Sequence, residues 1–525
     1  MKSPVPSRPC RALRARVFAL VAAFAAGVSL SAQAPVPAPA CPSLGWSEGL
    51  AVYLQPGAQF PVNDTANLPT PDCNFHEWSW EAFAWATALD ANGLPRFMSL
   101  PTPADLSLAP GTASKIGPRK LVLGVRPFAA KLDATTPEDA GAIVEADGNM
   151  LVAPNGYPVY ASVHMNPSYF ATAQRNLIVT GGYASQPAND YFDVGAAVFK
   201  ATWLRLDPGQ TPPAGAFVTQ AEVPVLAAYR TKNALTVAAT RQTVTATVAL
   251  VGLHVVGYTV NHPEFLWATF EHNANTPKFS DNTFDPTSTA SDPKTYTFYQ
   301  GGTPWNHINY NQGNQGAPFL LRFDAGAQKF TTVTVPNNVA NFTYNGTSPS
   351  ASRGTNVVLA NQTGSETNSP QGPANILALN ASAQSFYAGQ KAPQSTFGNY
   401  FLAGTVWMMP NTYVPSNPNA LGLNNTNAVG SVNLANTTAE TFFQVPQVVP
   451  TNATPSNNTM LNCFLCHNAT SYNPPLNARL IAISHVLAEG SSQEVSNSIP
   501  VLIPPAAKSA PAKVQSVGTA HPRRQ

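Results

Sequence analysis

Two cysteines and one histidine near the C-terminal end have the spacing with the clearest chemical meaning in this sequence. Cys463, Cys466 and His467 form a C-x-x-C-H pattern. Thiols three residues apart on one helical turn can reach the two vinyl groups of a porphyrin, and the adjacent imidazole then faces the iron. The pattern predicts one covalently bound haem c, with His467 as the proximal iron ligand.

Three other interpretations of the two cysteines compete with covalent haem. A thioredoxin-like redox pair requires a βαβ setting, which the surrounding sequence does not show. A structural zinc site requires a second pair of Cys or His residues at a matching spacing. A local disulfide is the third alternative, and covalent haem is favoured over all three.

The sixth iron ligand is harder to assign. No methionine follows Met460, so the Met ligand that follows the motif in compact class I cytochrome c domains is missing. His485 is the first histidine beyond the motif and is the best candidate for the second metal ligand. The alternative for His485 is a hydrogen-bonded side chain on a short helix. Met408 and Met409 lie upstream, where methionines more often fill gaps in a core.

A second group of histidines lies in the middle of the chain. His254, His262 and His272 are separated by even numbers of residues, so one continuous strand would place them on a single face, near Glu264 and Glu271. A proline after the second histidine and an Asn-rich turn after the third interrupt such a strand. Structural histidines are therefore favoured over a metal site.

The elements that position these residues are expected to be mainly strands. The 50 prolines argue against long helices, and alternating Val and Thr between turn clusters predict strands. The clearest runs are residues 158–163, 196–206, 243–259, 295–300 and 328–335. The predicted fold is mainly β with short helices and long irregular loops (α+β), and the C-terminal haem-c segment is integrated into the main domain.

One helix is predicted over residues 74–89. Asn74 and Glu77 fit a capping box at its start, and an Asn-Gly-Leu-Pro sequence over residues 92–95 ends it. Glu77 and Glu81 are carboxylates at helical spacing between tryptophans. For this stretch, core packing with a solvated edge is favoured over catalysis.

The two ends of the chain differ from the middle in composition. Basic residues precede an apolar run over residues 17–30 that ends in small residues, which is typical of an export signal. The predicted organisation is a signal peptide over 1–34, a mainly-β domain over 35–410, a haem-c-binding segment over 411–490 and a disordered tail over 491–525. The mature protein is expected in the periplasm or secreted.

The remaining cysteines predict a disulfide. Of the 5 cysteines, Cys10 lies in the predicted signal peptide, and two are assigned to haem. In an oxidising compartment unpaired thiols are unusual. Cys41 and Cys73 are therefore expected to pair.

The charge balance limits the possible partners. Charged residues make up 10% of the chain and the formal net charge is +2. This leaves no basic face for nucleic acid. No stretch after the signal reaches the roughly 18 apolar residues of a membrane span. The expected partner is a redox protein or a small-molecule electron donor or acceptor.

Several stretches resemble a family of large exported bacterial cytochromes c that carry a single C-terminal C-x-x-C-H and have no assigned substrate. They are residues 73–83, 200–203, 252–257, 267–272 and 436–444, together with the haem motif. The resemblance covers most of the mature chain and implies haem binding by Cys463, Cys466 and His467. It also suggests a role for His254 and the Trp267 stretch near the haem pocket or in the fold.

Three functions remain open from the sequence. The first is an electron carrier with a six-coordinate haem, which is preferred. The second is a haem enzyme, peroxidase- or oxidase-like, with an open sixth site; the size of the β-rich domain favours it, but no catalytic residue can be assigned. The third is a surface or binding protein in which haem is a structural staple.

Overall fold

The structure is a computed structural model that describes part of the chain. The described residues are 41, 46–63, 73–107, 119–124, 128–129, 151–178, 190–230, 235–279, 283–308, 319–334, 356–362, 372–408, 428–431, 433–441, 444, 463–467 and 483. The predicted signal peptide, the predicted C-terminal tail, Met409 and His485 lie outside these residues. Among the described residues, no helix combines the length and apolar character required to cross a membrane.

Ten strands lie within the described part of the chain and form its framework. They are β1 (Phe128–Ala129), β2 (Val159–Met165), β3 (Ala197–Arg205), β4 (Val218–Arg230), β5 (Leu235–Thr259), β6 (His262–His272), β7 (Phe319–Asp324), β8 (Lys329–Thr334), β9 (Tyr400–Met408) and β10 (Ala428–Gly430). Eight of them form one antiparallel sheet in the order β10-β9-β6-β5-β3-β2, with β1 and β4 also pairing with β5. β7 and β8 form a separate two-stranded sheet.

Short helices accompany the sheet. They are α1 (Leu50–Tyr53), α2 (Cys73–Thr87), α3 (Pro167–Ile178), α4 (Gly372–Ala388) and α5 (Cys463–Cys466), with 3-10 turns at Trp46–Gly49, Arg96–Ser99, Pro103–Ser107, Trp305–His307 and Gln394–Asn399. The fold is mainly β with short helices, as the sequence predicts.

The large sheet has an apolar core on each face because successive side chains of a strand point to opposite sides. On β6, Leu266, Ala268 and Phe270 join one core, which also contains α2 and α4. Trp267, between them, joins the other core, which includes residues of α3 and Phe464 of α5. β6 therefore connects helix α5, which carries the C-x-x-C-H residues, with the centre of the sheet.

Helix α2 packs on the first of these faces through its aromatic side chains. The ring of Phe83 stacks on Phe270 at a centroid distance of 4.3 Å, and Trp80 meets the same ring edge-on at 5.0 Å. The Trp80 indole N–H donates to Asn380 of α4 at 3.2 Å. Burial of a ring such as Phe83 contributes roughly 1.5 to 3 kcal/mol to folding stability, so these contacts stabilise the packing of α2 on the sheet.

A disulfide joins Cys73, at the start of α2, to Cys41, the first described residue of the chain. Cys41 and Cys73 are bonded, are 32 residues apart in sequence and are both buried. This is the pair that the cysteine count predicts.

The observed elements correct several predictions. α2 begins and ends within two residues of the predicted helix, and β2, β3 and β8 match predicted strands within two residues. The predicted strand over 295–300 is wrong: this segment is a tight reversal in which the Tyr296 N–H donates to the Tyr299 carbonyl at 2.9 Å. Helices α3 and α4 lie in the region where the sequence predicts mostly strands and assigns no helix.

Candidate functional site

Helix α5 is a single turn that arranges the C-x-x-C-H residues. The His467 N–H donates to the Cys463 carbonyl at 2.8 Å, which closes the turn. With 3.6 residues per turn, positions 463, 466 and 467 lie within an arc of roughly 100° on one side of the helix. Cys463 is partly exposed. The backbone thus directs both cysteine positions and the histidine to the same side.

Trp267 of β6 forms the wall against which α5 packs. Phe464 is buried and meets the Trp267 ring edge-on, with the ring centroids 6.0 Å apart. The His467 imidazole lies on the same indole at 4.3 Å, tilted by 41°. Trp267 is only 9% exposed, so it shields one side of the imidazole from water.

A backbone carbonyl sets the proton position of His467. The Nδ1 atom lies 3.0 Å from the carbonyl oxygen of Ile483, which can only accept a hydrogen bond. In the neutral imidazole Nδ1 therefore carries the proton and Nε2 the lone pair. Ile483 is buried in the same apolar cluster as Trp267 and Phe464. This contact fixes both the tautomer and the orientation of the ring.

The indole of Trp267 is itself held by an irregular stretch of β6. Phe265 has a φ of +67°, which is uncommon for a bulky residue. At this irregularity the Glu264 carbonyl accepts the Trp267 indole N–H at 3.0 Å. The Glu264 side chain lies 2.8 Å from His262 Nδ1 and accepts the Met408 N–H at 3.0 Å. These contacts determine which side of Trp267 faces α5.

Three ionisable side chains meet further along the same face of the sheet. We call Lys200, His254 and Glu440 the charged cluster. His254 Nε2 lies 3.1 Å from Glu440 Oε1, and Lys200 Nζ lies 4.0 Å from the same oxygen. The Thr269 hydroxyl lies 2.7 Å from His254 Nδ1. Burial tends to raise the pKa of Glu440, but His254 and Lys200 hold the pKa below its usual value, so Glu440 is a carboxylate at neutral pH.

The turn that supplies Glu440 is fixed to the sheet by buried polar groups. The Thr437 N–H and hydroxyl both donate to Glu271 of β6, and the Asn436 amide donates to the Phe270 carbonyl. Burial raises the pKa of Glu271, although its hydrogen bonds with Thr437 and Asn275 act in the opposite direction. Gly252 makes the close approach possible, because a Cβ there would lie 2.5 Å from the Thr438 hydroxyl oxygen.

The structure separates the three central histidines. His254 lies on β5, while His262 and His272 lie at the two ends of β6. Within the described ranges, no group of three His, Cys, Asp or Glu side chains could hold a metal ion. His262 pairs with Glu264, and burial holds the pKa of His272 at about 4.

The other residues singled out by the sequence fall into three groups. Met408 is buried in the apolar cluster that contains Trp267. Glu77 and Glu81 lie on α2, and Tyr53 donates to Glu81 at 2.9 Å. Met409 and His485 are not among the described residues, so the sixth-ligand candidates other than Met408 stay predictions.

Sequence reasoning did not identify Ile483 or Glu440 as partners of functional residues. Neither belongs to a motif, and each meets its histidine only through the tertiary fold. Trp267 and His254 were suggested by the family resemblance, without a contact to assign to them.

Comparisons with protein-family models, with curated protein sequences and with solved structures find no match. The functional interpretation therefore depends on the residues of this chain alone.

Proposed function

We propose that this protein is an exported c-type cytochrome that carries one haem c and acts in electron transfer. Cys463 and Cys466 would form the two thioether bonds, and His467 would be the proximal ligand. When bound, the haem supplies reversible one-electron chemistry. The redox partner is a protein or small molecule that gives or takes single electrons.

The observation that carries this proposal is the position of His467. Its Nδ1 faces the Ile483 carbonyl at 3.0 Å, so the neutral imidazole carries its proton on Nδ1 and its lone pair on Nε2, the form in which a histidine binds a metal. A ligating histidine commonly donates its other ring N–H to a carbonyl or carboxylate, which fixes its orientation and increases its basicity. The residues of α5 thus fit a haem iron in both spacing and tautomer.

Neighbouring residues of the chain support the same function. Trp267 covers one side of the imidazole and limits its contact with water. Exclusion of water and a fixed ligand orientation both influence the reduction potential of a haem. The Cys41–Cys73 disulfide supports export, because disulfides persist in oxidising compartments.

A haem enzyme with an open sixth coordination position is the second candidate. The charged cluster favours it, because His254 and Glu440 can exchange protons on the same sheet face as Trp267. A carrier should have a low-spin ferric spectrum and take cyanide slowly, whereas an enzyme of this type should be high-spin and bind peroxide readily.

The proposed function is tested by haem staining after denaturing electrophoresis of protein expressed with a cytochrome c maturation system. The wild-type chain should retain the stain, and the double variant Cys463→Ala, Cys466→Ala should lose it. His272→Gln is a matched control, because His272 lies at the far end of β6 and should leave the stain unchanged. An unstained wild-type chain, or a stained double variant, would contradict the proposal.

A further inference from the structure

The charged cluster lies close to His467 along one face of the sheet. Trp267 pairs with Val256, and Thr269 pairs with His254 in the same register. Alternate residues of a strand share a face and are roughly 7 Å apart. Because the Trp267 ring contacts the His467 imidazole, the distance between the His467 and His254 rings is on the order of 10 Å.

The surroundings of His254 suit both of its protonation states. Glu440 Oε1 lies 3.1 Å from His254 Nε2 and can only accept, so its negative charge favours a proton on that nitrogen. On the other side, the Thr269 hydroxyl can donate to a bare Nδ1 or accept from a protonated one. The imidazole can therefore gain or lose a proton and keep its contacts with both Glu440 and Thr269.

The ionisable side chains near His254 come from three elements. Lys200 is its registered partner on β3, Glu440 approaches from the turn over residues 436–440, and Glu271 is nearby on β6. The side chains of Lys200, His254 and Glu440 are 23%, 14% and 22% exposed. The cluster can thus exchange protons with solvent, while Trp267 and Thr269 are buried beside it.

Resting on the proposed function, we propose that His254 with Glu440 is the proton-accepting site that accompanies electron transfer at the haem site. When a one-electron donor delivers an electron there, the proton affinity of the pair rises and it takes up protons from water. When the electron leaves for an acceptor, the pair releases them. For a tenfold change in affinity, each electron is accompanied by about half a proton at most, so the charge near Trp267 is partly balanced.

The expected effect follows from the separation of the two sites. At a distance on the order of 10 Å and an effective dielectric constant near 20, one unit charge changes the proton affinity of the other site by roughly tenfold. A tenfold change in affinity corresponds to about 59 mV for a one-electron couple. The midpoint potential should fall by roughly that amount as the pH rises through the titration of the pair.

The test is a spectroelectrochemical titration of the purified holoprotein between about pH 5 and pH 9, the range in which histidine changes charge. Wild-type protein should show the fall in potential. Glu440→Gln removes a negative neighbour and should move the fall to lower pH. Lys200→Met removes a positive neighbour and should move it to higher pH. His254→Gln should give a flat profile.

His272→Gln is the matched control, since a histidine whose pKa is held at about 4 by burial stays neutral in this range and should leave the profile unchanged. If His254→Gln fails to fold, the opposite shifts of the other two variants still decide the question. Haem-bearing protein whose profile is the same in wild type, Glu440→Gln and Lys200→Met would overturn this inference alone. A chain without covalent haem would overturn the proposed function and this inference with it.

Discussion

Replacing Trp267 tests the contact on which the site is built. The Trp267 side chain is 9% exposed, its ring lies 4.3 Å from the His467 ring, and its indole N–H donates to the Glu264 carbonyl. Trp267→Ala should lower the free energy of unfolding by about 3 to 5 kcal/mol, the usual cost of emptying such a site. Trp267→Phe keeps a ring but leaves the carbonyl without its donor, so a loss of about 1 to 2 kcal/mol is expected.

The alanine variant should also change the redox behaviour of the holoprotein. Opening one side of His467 to water favours the more highly charged ferric state, so the midpoint potential should fall, by an amount on the order of tens of millivolts. The assays are urea unfolding followed by far-UV circular dichroism and a potentiometric titration of the haem.

Trp407 on β9 provides the control for this experiment. It is 3% exposed and stacks on Phe75 at 4.3 Å, where it joins the apolar core on the opposite face of the sheet. Trp407→Ala should cost similar stability and leave the midpoint potential unchanged. If Trp267→Ala unfolds like wild type, or if both alanine variants shift the potential equally, the packing of His467 on Trp267 is refuted.

Three further predictions concern other parts of the chain. Replacing Cys41 and Cys73 by serine opens a loop with a sequence separation of 32 residues and should lower the free energy of unfolding, measured in urea, by about 3 to 4 kcal/mol. An unchanged urea midpoint, or free thiols at both positions in wild-type peptide maps, would contradict this prediction. His485→Ala should convert a low-spin ferric spectrum to high-spin and speed cyanide binding if His485 is the sixth ligand, whereas an unchanged spectrum removes it from consideration. Burial, with a smaller contribution from Glu81, raises the pKa of Glu77 to about 7, so the free energy of unfolding should decline as the pH rises from about 4.5 to 7. The Glu77→Gln variant should have the same free energy of unfolding as wild type at pH 4 and exceed it at pH 8 by on the order of 1 kcal/mol after solvent screening. Equal urea unfolding curves for the two proteins at both pH values would contradict this prediction.

The sequence predicted the elements whose patterns are local. α2 is recognisable from its aromatic residues and from the turn that follows it, and β3 from its alternation of buried and partly exposed residues. β9 has no alternation to detect because all nine of its residues are buried, and a short apolar run of this kind cannot be distinguished from a buried helix. α4 was missed because Asn and Ser interrupt its apolar residues, and its Asn380 instead hydrogen-bonds to both backbone groups of Leu402 on β9.

The candidate site also contains local features that the sequence predicts and tertiary contacts that it does not. The spacing of Cys463, Cys466 and His467 is a local property, so the sequence alone predicts it. The Ile483 carbonyl has no side-chain signature, and any residue could supply it. Glu440 becomes a partner of His254 only because the turn that carries it crosses β3, β5 and β6. The C-x-x-C-H motif therefore indicates the cofactor, while the contacts that would tune it depend on sheet topology.

Phe265 shows how the sheet departs from regularity next to the site. A bulky residue in the left-handed region costs on the order of 1 to 3 kcal/mol and persists only where the surroundings enforce it. Here its ring is buried against Phe192 at 5.3 Å, and Glu264 is held from two sides by His262 and Met408. With both neighbours of the bend fixed, the Glu264 carbonyl must face the Trp267 indole. The orientation of Trp267, and through it that of His467, is thus enforced by packing on β6 and β9 rather than by the C-x-x-C-H residues themselves.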